Sequence, residues 1–212
     1  MSDVAVRIAS GNYDRIQAIK SGAVPIEGCA VDYVNLAPPE TFRRLFENQE
    51  FDIAEMSFST YLLTRTRFQF PYTAVPVFLS RVFPHSSIYI RTDRGIEGPA
   101  SLAGKSIGLP EYQITANVWI RGMLHDDYGV KPSDIHWRSG GLEDPGREER
   151  SPLNLPPEID LTPIAGDRTL PEMLAEGELD AVFSARARPS PRMSGLTTRP
   201  ECDRKRPPSH SE

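Results

Sequence analysis

A polar corner between a strand and a helix is the first feature of this sequence that could carry chemistry. The stretch KSIGLPEYQITANVW begins as an apolar strand, breaks at a proline, and passes Glu111, Tyr112, Gln113 and Thr115 before a helical pattern starts. In open parallel sheets, ligands lie beyond the carboxyl ends of strands, where helix N-termini present unpaired N–H groups and partial positive charge. This corner is therefore a candidate part of a ligand-binding site.

Two further strand ends have the same polar character. The corner after the first predicted strand contributes Tyr13, and the corner before a later helix contributes Ser57 and Ser59. If the three corners converge on one cleft, hydroxyl and amide groups surround a small anion there. The alternative is that Ser57, Ser59 and Thr115 are ordinary helix N-caps. Both roles are compatible, because a cap that faces a cleft still offers its neighbouring N–H groups.

Neither a metal site nor a disulfide framework is predicted. The two cysteines, Cys29 and Cys202, form no CxxC motif. His125 and His136 lack a partner at the spacing that metal ligands require. We expect a site without a bound metal.

The body of the chain alternates short β-rich runs with amphipathic helical stretches. Strands are predicted at residues 4–9, 29–36 and 51–57, and helices at residues 13–20, 38–49 and 59–66. This βαβα order is typical of an α/β fold with a largely parallel sheet.

Two pairs of segments echo each other. LFENQEFDIAEMS at residues 45–57 matches MLAEGELDAVFSA at residues 173–185, since both contain a helix end, a turn and an Asp-headed strand. VRIASGNYD at residues 6–14 matches SIGLPEYQ at residues 106–113, since each strand ends in a Tyr-bearing loop. The echo predicts two similar lobes, whereas coincidence between short αβ units is the alternative.

We expect the first lobe at residues 1–90 and the second at residues 91–185, with the crossing near residues 86–95. Residues 186–212 are rich in proline and arginine and have no aromatic residue, which predicts a disordered tail. A nucleic-acid or localisation patch at DRKRPP is the weaker alternative, because aromatic residues are not interleaved with its charges.

Composition restricts the class of protein. The chain has 212 residues, of which 39% are hydrophobic and 25% charged, as in soluble globular proteins. No apolar run approaches the roughly 20 residues of a membrane span, and the N-terminus has no basic region followed by an apolar one. We expect a cytoplasmic protein without a membrane or nucleic-acid partner, and the oligomeric state stays open.

Several long motifs follow one another along the chain. They are GNYDRIQAIKSGAVPIEGCAVDYVNLAPPETFRR, FDIAEMSFSTYL, AVPVFLSRVFPHSSIYIRTDRGI, GLPEYQITANVWIRGMLHDDYGV, GGLEDPGREE and AEGELDAVFSAR. Together they resemble the 4,5-dihydroxyphthalate decarboxylase family, and the resemblance covers nearly all of residues 4–186. It implies two α/β lobes joined by a hinge, similar to type II periplasmic solute-binding proteins. It also implies an aromatic dicarboxylate ligand with two phenolic hydroxyls.

The implied reaction is loss of CO2 from an aromatic ring, which a general base, a general acid and anion-binding groups could achieve without an organic cofactor. His85 is the candidate acid or base, and Glu111 is an alternative base if burial raises its pKa. Arg81 could hold a carboxylate in bidentate fashion. Tyr13 and Tyr112, with Ser57 and Ser59, could orient the hydroxyls and the second carboxylate.

Each of these roles has a structural alternative. His85 could bond a backbone group at the hinge, Arg81 could pair with a surface acid, and Glu111 could cap a helix. The glycine-rich loop at residues 139–150 could be a lid whose Arg147 reaches the ligand, or a solvated connection.

The sequence departs from the family after Ala185, where the family pattern continues and this chain turns into proline- and arginine-rich sequence. We expect from this an incomplete first lobe, a shifted reading frame or premature end, and poor stability. A solute-binding protein for a small organic anion, without catalysis, and an inactive truncated copy are the alternatives to an active carboxy-lyase.

Overall fold

The structure is a computed structural model that describes residues 3–67, 69–80, 87–149 and 153–184. The predicted tail at residues 186–212 lies outside these ranges. The chain divides into two compact units, Met1–Val82 and Phe83–Glu212. Within the described ranges, no helix combines the length and the apolar character that a membrane-spanning segment requires.

The described part of the first unit holds a parallel sheet in the order β2-β1-β3, with helices between the strands. Its elements are β1 (Val4–Ser10), a 3-10 turn (Asp14–Ile16) leading into α1 (Gln17–Lys20), β2 (Cys29–Asn35), α2 (Pro38–Asn48), β3 (Ile53–Ala54) and α3 (Phe58–Arg67). The predicted alternation of strands and helices is confirmed, although β3 is much shorter than the predicted strand at residues 51–57.

Helix α2 shows how local sequence sets an element. Pro38 and Pro39 occupy its first turn, where a missing N–H costs no hydrogen bond. Gln49 ends it in the left-handed conformation, and the Gln49 N–H donates to the carbonyl of Leu45. Leu45 is buried and clusters with Ala9 of β1. The helix is therefore packed on the strand that ends at the first polar corner.

The described part of the second unit holds a five-stranded sheet in the order β4-β8-β5-β6-β7, parallel except for β4. Its elements are β4 (Ile88–Ile90), β5 (Ser106–Leu109), α4 (Thr115–Tyr128), β6 (His136–Ser139), β7 (Leu161–Pro163), α5 (Leu170–Glu176) and β8 (Ala181–Phe183). The α/β class with a largely parallel sheet is therefore confirmed.

Trp137 of β6 organises the core of the second unit. The side chain is fully buried, and its ring meets those of Phe183 and Tyr112 edge-on, at centroid distances of 5.6 and 5.8 Å. Ile107 and Leu109 of β5 belong to the same cluster. Because Tyr112 is part of this core, the corner that follows β5 is fixed by packing.

The echo in the sequence corresponds to equivalent positions in the two sheets. Strand β1 lies between β2 and β3, and strand β5 lies between β6 and β8, all in parallel pairs. The segments that echo each other contain β1 and β5 in one case and β3 and β8 in the other. In each sheet, a polar corner thus follows the central strand. The second echoing strand, β3 or β8, pairs in parallel with that central strand.

Strand β4 lies within residues 86–95, the segment predicted as the crossing between the lobes. Ile88 pairs with Phe183, and Ile90 pairs with Ala181, as an antiparallel edge of the sheet in the second unit. This pairing joins residues far apart in the chain, so no local pattern indicates it. The wider division at residue 90 stays a prediction.

Two glycines provide a matched test of this packing. A Cβ at Gly108 of β5 would lie 2.8 Å from Leu170 and 2.9 Å from Leu179, whereas one at Gly122 of α4 would meet nothing within 4 Å. We expect Gly108→Ala to lower the free energy of unfolding by about 1–3 kcal/mol through overpacking. Gly122→Ala should raise it by up to about 1 kcal/mol, because alanine favours the helix.

Urea denaturation of both variants and the wild type gives these differences. A Gly108→Ala variant as stable as the wild type would contradict the close packing of β5 against Leu170 of α5 and Leu179.

Candidate functional site

The corner that follows β5, residues 110–115, is a deeply buried polar segment. Glu111 is 1% exposed, Tyr112 6% and Gln113 5%, and Thr115 is the first residue of α4. Packing of Tyr112 against Trp137 holds the turn in place. The corner therefore presents a carboxylate, an amide and a helix start at the carboxyl end of a central strand.

Arg147 pairs with Glu111 in this corner. Its Nε donates to Glu111 Oε1 at 2.9 Å, and its Nη2 donates to the same oxygen. The Arg147 side chain is 35% exposed, so it reaches the buried carboxylate from the surface of the unit. Burial of an unpaired carboxylate costs several kcal/mol, and the guanidinium offsets that cost. Arg147, which belongs to the glycine-rich loop at residues 139–150, therefore contacts Glu111 directly.

A second carboxylate, that of Glu149, lies at the same corner. Its Oε1 accepts a hydrogen bond from the backbone N–H of Tyr112, and the backbone of Gln113 also bonds this carboxylate. Burial raises the pKa of Glu149, and the nearby charge of Glu111 raises it further. The backbone amides of the corner therefore accommodate a carboxylate group.

Arg121 of α4 covers the other side of Tyr112. Its guanidinium carbon lies 3.6 Å from the centre of the Tyr112 ring, and Nη1 donates to the Tyr112 carbonyl. Burial lowers the pKa of Arg121, and burial raises the pKa of Tyr112. The Tyr112 ring is thus held between a cation and the Trp137 core, as expected for cation–π packing.

Two buried amide oxygens at the corner accept no hydrogen bond from any residue that the structure describes. They are Oε1 of Gln113 and Oδ1 of Asn117, whose Nδ2 donates to the Glu111 carbonyl. Asn117 is fully buried. Since buried acceptors are normally satisfied, these two oxygens are exceptions within the described part of the second unit.

The first unit has its own corner, at the carboxyl ends of β1 and β3. Tyr13 Oη lies 2.9 and 3.0 Å from the two carboxylate oxygens of Glu55. Burial raises the pKa of Tyr13 to about 12, with contributions from Glu55, and burial raises the pKa of Glu55. Glu55 was missed by the sequence analysis. Its position directly after a predicted strand, in FDIAEMS, was the available signal.

Ser57 and Ser59 stand at the start of α3. The Ser57 carbonyl accepts the N–H of Tyr61, and the two serine hydroxyls lie 3.2 Å apart. Ser59 is 9% exposed. This arrangement places Ser57 at the position of an N-cap, which was the structural alternative for it.

Arg81 and His85 lie outside the described residues, so their predicted roles stay predictions. The two units are described separately, and the predicted cleft stays a prediction as well. Within the described ranges, no group of three or more His, Cys, Asp or Glu side chains could hold a metal ion. His136 instead pairs with Asp160, at 2.8 Å from Nδ1 to Oδ2.

Comparison with known proteins agrees with the resemblance found in the motifs. The chain matches the family model described as NMT1/THI5 like over residues 5–144. It is 48% identical over 187 residues to proteins named 4,5-dihydroxyphthalate decarboxylase from Comamonas testosteroni and Pseudomonas putida. These alignments cover 88% of this chain, 57% of the Comamonas protein and 72% of the Pseudomonas protein.

The fold is similar to that of the periplasmic aliphatic sulphonate binding protein SsuA from Escherichia coli. The TM-score is 0.52 at 13% sequence identity, over 86% of this chain and 51% of that chain. At this identity the likeness shows the fold alone. It supports the predicted type II periplasmic-binding-protein-like fold.

Glu149→Gln tests the electrostatics of the corner. A raised folded-state pKa means that stability from protonated Glu149 is fully present below the ordinary value of 4.5 and is lost as pH rises through the folded pKa. Glutamine keeps a neutral acceptor at every pH. We therefore expect Glu149→Gln to unfold about 2 °C above the wild type at pH 7, with the gap closing toward pH 4.

Thermal unfolding across pH 4–8 measures this gap, and Glu148→Gln, at an exposed neighbouring position, is the matched control. A Glu149→Gln variant less stable than the wild type at pH 7 would show that the ionised carboxylate stabilises the corner.

Proposed function

This chain belongs to the NMT1/THI5-like family and to the 4,5-dihydroxyphthalate decarboxylase family, and from that premise we propose that it binds a small organic anion and removes CO2 from it. The proposed substrate is a dihydroxylated aromatic dicarboxylate, and the proposed reaction is non-oxidative. The observation that carries the proposal is 48% identity over 187 residues with two proteins of that name. The chain spans 57% of the length of the Comamonas protein, so the activity of the full-length protein is a proposal for this chain.

The corner after β5 supports the substrate class. Backbone N–H groups at Tyr112 and Gln113 already bond one carboxylate, and Arg147 brings a guanidinium to the same place. The amide oxygens of Gln113 and Asn117 suit hydroxyl donors. A ligand that combines carboxylates with phenolic hydroxyls matches both kinds of group.

The remaining candidate residues have proposed binding roles. Ser57, Ser59 and Thr115 start helices, where neighbouring N–H groups favour anions. Arg81 is proposed to hold a carboxylate. Tyr13 is proposed to lie close to the ligand.

The chemistry follows from the substrate. In 4,5-dihydroxyphthalate the 4-hydroxyl is para to one carboxylate, so a base that takes the hydroxyl proton increases electron density on the ring carbon bearing that carboxylate. This carbon accepts a proton, the bond to the carboxylate breaks, and its electron pair restores the aromatic ring as CO2 leaves. His85 is proposed as the base on the hydroxyl.

Glu111 was the alternative base. Its pairing with Arg147 and its near-complete burial support a positioning role instead, in which Glu111 holds the guanidinium in place. No metal ion or organic cofactor has a step in this proposal, since the ring hydroxyl supplies the electron density.

A binding protein without catalysis is the second candidate function. It is compatible with the fold, which is similar to that of the periplasmic aliphatic sulphonate binding protein SsuA. Fold does not decide between the two functions, since one scaffold can hold unrelated sites. The two are separated by whether bound substrate is consumed.

We expect the full chain to release CO2 from 4,5-dihydroxyphthalate, and His85→Ala to lose about 10²-fold or more in kcat while its Kd stays within about threefold. Headspace CO2 measurement and isothermal titration calorimetry provide the two readouts. His125→Ala is the control, because His125 is half exposed on α4. Tight binding by the wild type with no CO2 would contradict the decarboxylase and favour the binding protein.

A further inference from the structure

We infer that Glu55 is a further catalytic residue, which delivers a proton to the ring carbon that loses its carboxylate. The inference rests on the proposed decarboxylation and identifies the general acid that this reaction needs. Neither the motifs nor the family resemblance assigned a role to this residue.

Backbone hydrogen bonds place Glu55 at the carboxyl end of the sheet in the first unit. Glu55 follows Ala54, the last residue of β3, and Ala54 pairs in register with Ala9 of β1. The Glu55 N–H donates to the Ala9 carbonyl at 3.1 Å. The side chain therefore emerges beside the loop that follows β1, at the edge where parallel sheets bind ligands.

Contacts with that loop orient the carboxylate. Tyr13 Oη lies within hydrogen-bond distance of both carboxylate oxygens, and the Gly11 N–H lies 3.5 Å from Oε2. A Cβ at Gly11 would lie 3.0 Å from the Tyr13 ring, so a glycine lets the ring fold back over the loop. Because Tyr13 keeps its proton far above neutral pH, its hydroxyl donates to Glu55.

The Glu55 carboxylate forms no ion pair within the described residues, in contrast to two other glutamates. Glu50 pairs with Arg44, and Glu111 pairs with Arg147. Glu55 is instead half-buried beside a neutral phenol. A cation would keep a carboxylate ionised, whereas this environment favours the protonated form and suits a proton donor.

The titratable groups that face Glu55 from the described elements are few. Tyr13 is in direct contact, and Arg15 lies behind Tyr13 with its guanidinium carbon 5.9 Å from that ring. The Ser80 side chain, which does not titrate, also forms a hydrogen bond with the Tyr13 hydroxyl. Burial raises the pKa of Glu55, and the Tyr13 hydrogen bond opposes that rise by stabilising the ionised form.

The proton transfer balances without another reactant. The O–H bond of protonated Glu55 breaks as the C–H bond forms at the ring carbon, and the bond from that carbon to the carboxylate then breaks. The electron pair of that bond returns to the ring, CO2 leaves, and Glu55 is left ionised with the Tyr13 hydroxyl as donor. A proton from solvent restores the acid, so each turnover consumes one proton.

Glu55→Gln should lower kcat by about 10²–10⁴-fold while the Kd of the substrate, measured by calorimetry, changes by less than about threefold. Glu27→Gln, an exposed position in the same unit, is the matched control and should keep the wild-type kcat. Equal kcat in Glu55→Gln and wild type, or loss of substrate binding in Glu55→Gln, would overturn the inference.

The pH dependence of kcat distinguishes a catalytic role of Glu55 from a purely structural one. Because the acid must be protonated, kcat of the wild type should fall as pH rises through the folded pKa of Glu55. Tyr13→Phe removes the hydrogen bond that stabilises the ionised carboxylate, so this fall should move to higher pH. If Glu55→Gln does not fold, the pH dependence of kcat in Tyr13→Phe tests the inference by itself. A pH profile of Tyr13→Phe that is the same as that of the wild type would overturn the inference.

Absence of CO2 from the wild type would instead refute the proposed function, and the inference with it. A wild type that releases CO2 beside a fully active Glu55→Gln would refute the inference alone.

Discussion

The burial of two carboxylates at one strand end constrains much of the second unit. Glu111 and Glu149 lie near each other, and like charges at such a place repel and resist desolvation. Arg147 offsets the cost at Glu111, and the Tyr112 N–H offsets part of it at Glu149. The glycine-rich loop is therefore joined to the corner through two of its charged residues, Arg147 and Glu149.

The first unit uses its carboxylate differently. Glu55 has a phenol as its partner in place of a cation, and burial raises its pKa. The corner after β5 thus pairs a buried carboxylate with a guanidinium, whereas the corner after β1 pairs a carboxylate with a phenol. Each corner follows the central strand of its sheet, so the same position in the two sheets carries two different carboxylate environments.

Sequence patterns predicted the architecture because they are local or repeated. Strand and helix periods predicted the α/β class, and the echo between residues 6–14 and 106–113 corresponds to the central strands β1 and β5. Contacts between distant residues left no such pattern. Arg147 is 36 positions from Glu111, and the Tyr13–Glu55 pair depends on parallel pairing between β1 and a two-residue strand. The antiparallel pairing of β4 with β8 likewise joins distant parts of the chain, so no local pattern indicated it.

Catalysis and binding make different demands on these corners, since only catalysis requires a proton to reach a ring carbon. Turnover of 4,5-dihydroxyphthalate in D2O, followed by proton NMR of the product, tests for that proton directly. If the protein decarboxylates this substrate, we expect 3,4-dihydroxybenzoate with one deuterium on the carbon that lost its carboxylate. Substrate recovered unchanged after prolonged incubation with a protein that binds it would contradict the proposed activity and leave a binding protein.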